Sequence, residues 1–169
     1  MKAATNLVQR AWAVLEQIPD PEIPVVSIRE LGILRDIEEH DGRLQVVITP
    51  TYSGCPAIGQ IEDDVRAALA VHDLPATVVT RLAPAWSTDW MAEAAKEKLR
   101  AFGIAPPHVA AAVNVLHFAP SGLTRGAEVC CPHCGSANTT ETSHFSSTAC
   151  KALYKCLNCL EPFDYFKPY

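Results

Sequence analysis

The 169-residue sequence predicts an α+β protein, with helices packed on a mixed sheet of three or more strands and a small metal-stapled sheet at the C-terminal end. Three observations carry this reading. Apolar residues alternate between helical and strand periodicity through most of the chain. Asp41-Gly42 separates two strand-like runs and is a strong hairpin signal. Six of the seven cysteines fall between positions 130 and 159, and four of them form two Cys-x-x-Cys pairs.

The elements follow in order. Leu7, Ala11, Val14, Leu15 and Ile18 recur at helical spacing, with Thr5 or Asn6 as the N-cap. Pro19 and Pro21 end that helix. Residues 33–38 and 44–49 read as the two hairpin strands. A second helix is expected to begin near Pro56, where proline suits the first turn, and to bury Ile58, Ile61, Val65 and Leu69. Residues 77–82 read as a third strand. Thr88-Asp89 opens a third helix expected to run to Phe102 and stop at Gly103. Residues 109–118 fit a helix through their alanines, or a strand through Val113, Val115 and His117. Residues 119–127 contain Pro, Ser and Gly without periodicity and read as a linker. The expected domains are therefore 1–118 and 128–169, joined by 119–127.

Composition restricts the function. Hydrophobic residues make up 49% and charged residues 20%, a globular balance. The net charge of −5 gives no general attraction to nucleic acid phosphates or anionic lipid. The part after the linker carries 3 basic and 4 acidic residues, so a nucleic-acid role for the cysteine-rich end is disfavoured too. No apolar run is long enough for a bilayer, and no basic-then-apolar leader opens the chain. A cytoplasmic protein is expected, with no membrane and no nucleic acid as partner. In a reducing compartment the cysteines point to metal or thiol chemistry rather than disulfides.

Cys131-Pro-His-Cys134 and Cys156-Leu-Asn-Cys159 are separated by 21 residues. A tetrahedral soft-metal site wants four thiolates, and two tight turns can each present a pair. Strand-like runs at 139–145, 152–155 and 163–166 place those turns on a small sheet, which is a zinc ribbon. About forty residues bury little core, so the metal would supply the folding free energy. The same four thiolates would also suit iron, alone or in a cluster with a redox role. Cys130 reads as a spare, partly buried thiol, and Cys150 is left open. His133 and His144 read as surface or packing residues beside a complete cysteine set.

Cys55 stands alone, after a strand and before a helix. A thiol at a helix N-terminus is favoured as thiolate, the form that binds metal or accepts sulfur. A small buried corner residue is the plainer alternative. Gly54 is expected to permit the tight turn there. Asp20-Pro-Glu-Ile-Pro24 is a proline-stiffened acidic loop that reads as a cation or partner site, or as a solvated turn. Trp86 and Trp90 flank a helix start. They read as core aromatics or as a partner-binding surface.

Asp20-Pro-Glu22, the 30–34 segment Glu-Leu-Gly-Ile-Leu, and Thr51 with Gly54-Cys55-Pro56 resemble the metal–sulfur cluster assembly factors, the SufT-like and MIP-like small domains. That resemblance covers roughly residues 5–118. It implies a compact α/β domain and a role in iron–sulfur protein maturation, with Cys55 as the working cysteine and Asp20, Glu22 and Thr51 about it. The segments 84–91, 103–107, 147–156 and 161–167 extend the likeness to the accessory proteins of bacterial phenylacetate degradation, which add a cysteine ribbon to such a domain. This implies a non-catalytic accessory of the phenylacetyl-CoA epoxidase system, with its oxygenase and reductase subunits as partners. The implied cofactors are a structural zinc at Cys131, Cys134, Cys156 and Cys159, and a transient iron or iron–sulfur cluster. Small domains of this type often pair, which leaves a homodimer open. The chain lacks the helical Glu and Glu-x-x-His set of a di-iron enzyme and any Gly-rich dinucleotide loop. An electron-transfer subunit holding iron in the four-cysteine site is the alternative.

Overall fold

The first helix, α1 (Lys2–Leu15), buries Ala11 and Leu15 and ends three residues before Ile18. The residue before a proline is driven out of the helical region, and Ile18 precedes Pro19. The last turn tightens instead: the Gln17 and Ile18 N–H groups donate to the Val14 and Leu15 carbonyls. The structure, a computed structural model, describes residues 2–108 and 129–169, without the side chains of 2–5. The ambiguous 109–118 segment, the expected linker and both expected domain boundaries lie outside the described residues. The described residues form two compact units, one reaching Lys98 and including Tyr169, the other spanning 99–168.

In the first unit, β1 (Leu34–His40) and β2 (Arg43–Ile48) form the expected antiparallel hairpin. Asp41 and Gly42 take φ of 51° and 75°, the pair of left-handed residues that a type I′ turn demands. β3 (Ala76–Thr80) joins β2 in parallel, giving the sheet order β1-β2-β3. The crossover between these parallel strands is α2 (Ile58–Val71), which buries Ile61, Val65 and Leu69. α1 packs on β1 and on α2, and α2 packs on β3. Leu44, Val46 and Ile48 on the central strand are almost fully buried.

The third helix differs from expectation. A 3₁₀ turn at Thr88–Trp90 is capped by the Ser87 hydroxyl, and Met91 is extended before α3 (Glu93–Ala101) begins. Thr88 does not cap, because its hydroxyl is held by Tyr169: it donates to the Tyr169 carbonyl at 3.1 Å and accepts from the Tyr169 N–H at 2.9 Å. Gly32 lies against this turn with φ of 73°, and a Cβ there would sit 2.6 Å from the Trp90 carbonyl oxygen. Gly32→Ala is therefore expected to destabilise the first unit by roughly 2–5 kcal/mol, combining left-handed strain with overpacking. A denaturant midpoint equal to wild type would contradict this packing.

The second unit carries a sheet in the order β4-β7-β6-β5. β5 (Thr139–Ser143), β6 (Lys151–Cys156) and β7 (Pro162–Phe166) are the three ribbon strands expected from sequence. β4 (Ile104–Ala105) follows Gly103, which ends α3 with φ of 92°, and pairs in parallel with β7. One buried cluster of this unit joins Ala105, Val129, Cys131, Ala152, Cys156, Phe163 and Tyr165. Lys151 is buried and reaches Asp164 at 3.0 Å, with Ser146 donating to the same carboxylate. Among the described residues no helix is long and apolar enough to cross a membrane.

Candidate metal centre and the Cys55 loop

Each Cys-x-x-Cys pair closes a turn. In the first, the Gly135 N–H donates to the Cys131 carbonyl and the Cys131 N–H to the Ser136 carbonyl, both at 2.9 Å. In the second, the Asn158 and Cys159 N–H groups both point at the Cys156 sulfur, at 3.4 and 3.5 Å. Both turns end on a left-handed residue just after the second cysteine, Gly135 at 75° and Leu160 at 67°. Glycine takes that conformation freely, whereas for leucine it costs roughly 1–2 kcal/mol. Leu160 is exposed, so Leu160→Gly is expected to stabilise the ribbon by up to about 1 kcal/mol. Hydrogen-exchange protection along β6 and β7 reads this out, and weaker protection in the variant would refute it.

The four sulfurs lie within 4.8 Å of one another. Cys131 and Cys159 approach to 3.7 Å, and Cys134 and Cys156 to 3.6 Å. An ion with tetrahedral bonds of about 2.3 Å sets its sulfurs about 3.8 Å apart. The residues thus fit one metal ion, while a cluster of two or more irons would hold the pairs further apart. The electrostatics agree. Amide donors, Cys159's first and then Asn158's, pull the Cys156 thiol down to about 6 against the cost of burial. Cys159 is pushed up to about 12, because burial and the thiols of Cys156, Cys134 and Cys131 outweigh the amide of Glu161. Cys134 is raised as well: the Ser136 amide and the Cys159 thiol pull it down, but burial with the Cys156 and Cys131 thiols outweighs them. Four thiolates this close repel one another, and a divalent cation removes that repulsion.

Among the described residues this is the one group of three or more Cys, His, Asp or Glu placed to hold a metal. Cys130 is outside it and exposed, not partly buried as expected. Cys150 is buried with its sulfur 2.9 Å from the Thr148 hydroxyl. His133 and His144 are exposed, and His144 pairs with Glu141 at 3.2 Å.

Cys55 is half-buried in the loop between β2 and α2. α2 begins at Ile58, three residues later than Cys55, with no side-chain cap. The Cys55 backbone bridges the gap: its N–H donates to the Tyr52 carbonyl at 3.2 Å, and its carbonyl accepts from the Ile58 N–H at 3.4 Å. Gly54 is not among the residues with positive φ, so the turn does not depend on it. Thr51 is buried and lines a cavity of about 360 Å³ with Tyr52, Ser53, Leu82, Trp86 and Tyr169.

Asp20 is buried, which overturns the solvated-turn reading. One carboxylate oxygen accepts from the Glu22 and Ile23 N–H groups at 2.9 and 2.8 Å, and the Asp20 N–H donates to the Val26 carbonyl. Pro19 and Ser27 form a bridge that closes the loop. Asp20 thus sets the loop's shape, and Glu22 sits half-buried upon it. Trp86 is 4% exposed, donates its indole N–H to the Leu31 carbonyl at 3.0 Å and meets Tyr169 edge-on. Its burial favours the core reading. Trp90 is half-buried under the Arg35 guanidinium, 3.5 Å above the ring. The sequence carries no signal for Arg35, since an isolated arginine in a strand is ordinary.

Comparison with known proteins adds to this geometry. Residues 9–82 match the family described as iron-sulfur cluster assembly protein, and residues 119–167 the PaaD zinc beta ribbon domain. The chain is 48% identical over 161 residues to an Escherichia coli protein named as a "Putative 1,2-phenylacetyl-CoA epoxidase" subunit, covering 95% of this chain and 92% of that one. It is 36% identical over 85 residues to the Bacillus subtilis Fe-S protein maturation auxiliary factor YitW, covering 50% of this chain and 80% of that one. A crystal structure of a domain of unknown function from Bacillus anthracis superposes with a TM-score of 0.53 at 30% identity, covering 58% of this chain and 95% of that one.

Proposed function

The chain belongs to the PaaD family of phenylacetyl-CoA epoxidase subunits, and from that premise we propose that it is a non-catalytic maturation factor of the epoxidase system in phenylacetate catabolism. It aids assembly or repair of an iron–sulfur or di-iron centre in the oxygenase or reductase subunit. The observation that carries this reading is the joining, in one chain, of an iron–sulfur assembly domain to a four-thiol ribbon. Cys55, half-buried on its loop, accepts iron, sulfur or a nascent cluster as cargo. Thr51 and the Asp20–Glu22 loop shape the surroundings of that cysteine. The ribbon, within 128–169, holds one structural zinc through Cys131, Cys134, Cys156 and Cys159 and docks the client, while 1–118 carries the assembly function.

The test is loading of the client. Epoxidase made in a host lacking this chain should contain less iron, and restoring the chain should restore it. Full iron without the chain would refute the proposal. Four thiolates also suit a single iron, which supports a second reading as an electron-transfer subunit. That reading requires visible absorbance and reversible reduction, and a colourless, redox-silent protein excludes it.

A further inference from the structure

Arg35 and Arg81 face one cavity of about 220 Å³, together with Trp90, Thr49 and Asp36. They flank the end of the central strand. Leu34 pairs with Ile48 and Asp36 with Val47, so Arg35 is the extra residue of a β-bulge. Bulges re-aim side chains, and this one lays the Arg35 guanidinium over Trp90. Arg81 follows β3, tied by its N–H to the Ile48 carbonyl. Among the described residues no carboxylate oxygen lies within 4.0 Å of either guanidinium, although Arg29, Arg66, Lys96, Lys98 and Lys151 all have such partners. Asp36 turns one oxygen to the Ile37 N–H at 2.8 Å.

A guanidinium stacked by its face keeps its edge N–H groups for bidentate binding of an anion. A half-buried cation without a carboxylate partner is costly, and burial lowers the Arg35 pKa, with Asp36 opposing. The cavity is smaller than the roughly 300–1,000 Å³ of small-molecule sites, so it takes a side chain rather than a coenzyme. Thr49 lines both this cavity and the one behind Thr51, Tyr52 and Ser53, which places the two arginines beside the Cys55 loop.

We propose that Arg35 and Arg81, with Trp90 as a stacking platform, receive an Asp or Glu side chain of the protein partner at the Cys55 loop. The inference rests on the maturation reading, in which that partner is the epoxidase assembly. The experiment measures binding of the full chain to the purified oxygenase–reductase assembly. Arg35→Ala and Arg81→Ala should each weaken binding about tenfold or more with thermal stability retained, as Trp- and Arg-centred contacts do. Arg35→Lys should weaken it too, since lysine lacks the fork. Arg43→Ala, at the far end of β2, should bind as wild type does. If Arg35→Ala is unstable, the exposed Arg81 decides. Wild-type binding that all arginine variants retain overturns the pocket and leaves the maturation reading standing. No binding by wild type overturns both. Displacement of the partner by inorganic phosphate at constant ionic strength would assign the pocket to phosphate and overturn the carboxylate, and resistance to phosphate supports it.

Discussion

Replacing Cys156 by serine is expected to strip the metal from the chain and unfold the ribbon around it. Cys156 is fully buried, and the amides of Cys159 and Asn158 pull its thiol down to about 6. Serine keeps the volume but offers a hard oxygen that stays protonated. The ribbon cannot absorb that loss, because Cys131 and Cys156 belong both to its buried apolar cluster and to the four-cysteine group. A ribbon of about forty residues buries too little apolar surface to fold stably without its metal. In peptides of this kind structural zinc contributes roughly 10–16 kcal/mol of folding free energy. Metal per chain should fall from about one to near zero. Amide protection should vanish along Lys151–Cys156 and Pro162–Phe166, while Arg43–Ile48 keeps it. A folded, metal-loaded Cys156→Ser protein would contradict the account of the ribbon.

Cys55→Ala should do the opposite, leaving the fold intact and removing the function. The backbone contacts that set the loop run through the Cys55 N–H and carbonyl, which alanine retains. The site is half-buried, so little apolar packing is lost and the thermal midpoint should stay within the range of ordinary surface substitutions. Alanine cannot accept iron or sulfur. The variant chain should therefore bind its client as wild type does and fail to load it. A melting transition lowered as far as that of Gly32→Ala would mean that Cys55 is a packing residue, the plainer alternative its position allows.

What the sequence made legible was local. Asp41-Gly42 specified its turn because two consecutive left-handed residues leave few other conformations. The two cysteine pairs specified the ribbon because their spacing is set by coordination geometry, and Gly135 and Leu160 then follow each pair in matching conformations. What stayed hidden depends on distant partners. β4 is two residues long and pairs with a strand sixty positions later, so no periodicity announces it. Thr88 has the chemistry of a cap, but Tyr169, 81 residues away, holds its hydroxyl. Asp20 read as solvent-facing because its loop is rich in proline, whereas its carboxylate is buried against its own backbone. Arg35 gained its role from a bulge, a one-residue register shift that composition cannot show.

The most direct test of the central claim is the iron and acid-labile sulfide content of epoxidase purified from three hosts, carrying the wild-type chain, Cys55→Ala, or no copy. The account predicts full loading only with wild type, and with Cys55→Ala the same deficit as with no copy at all. Equal iron and sulfide in all three preparations would contradict it.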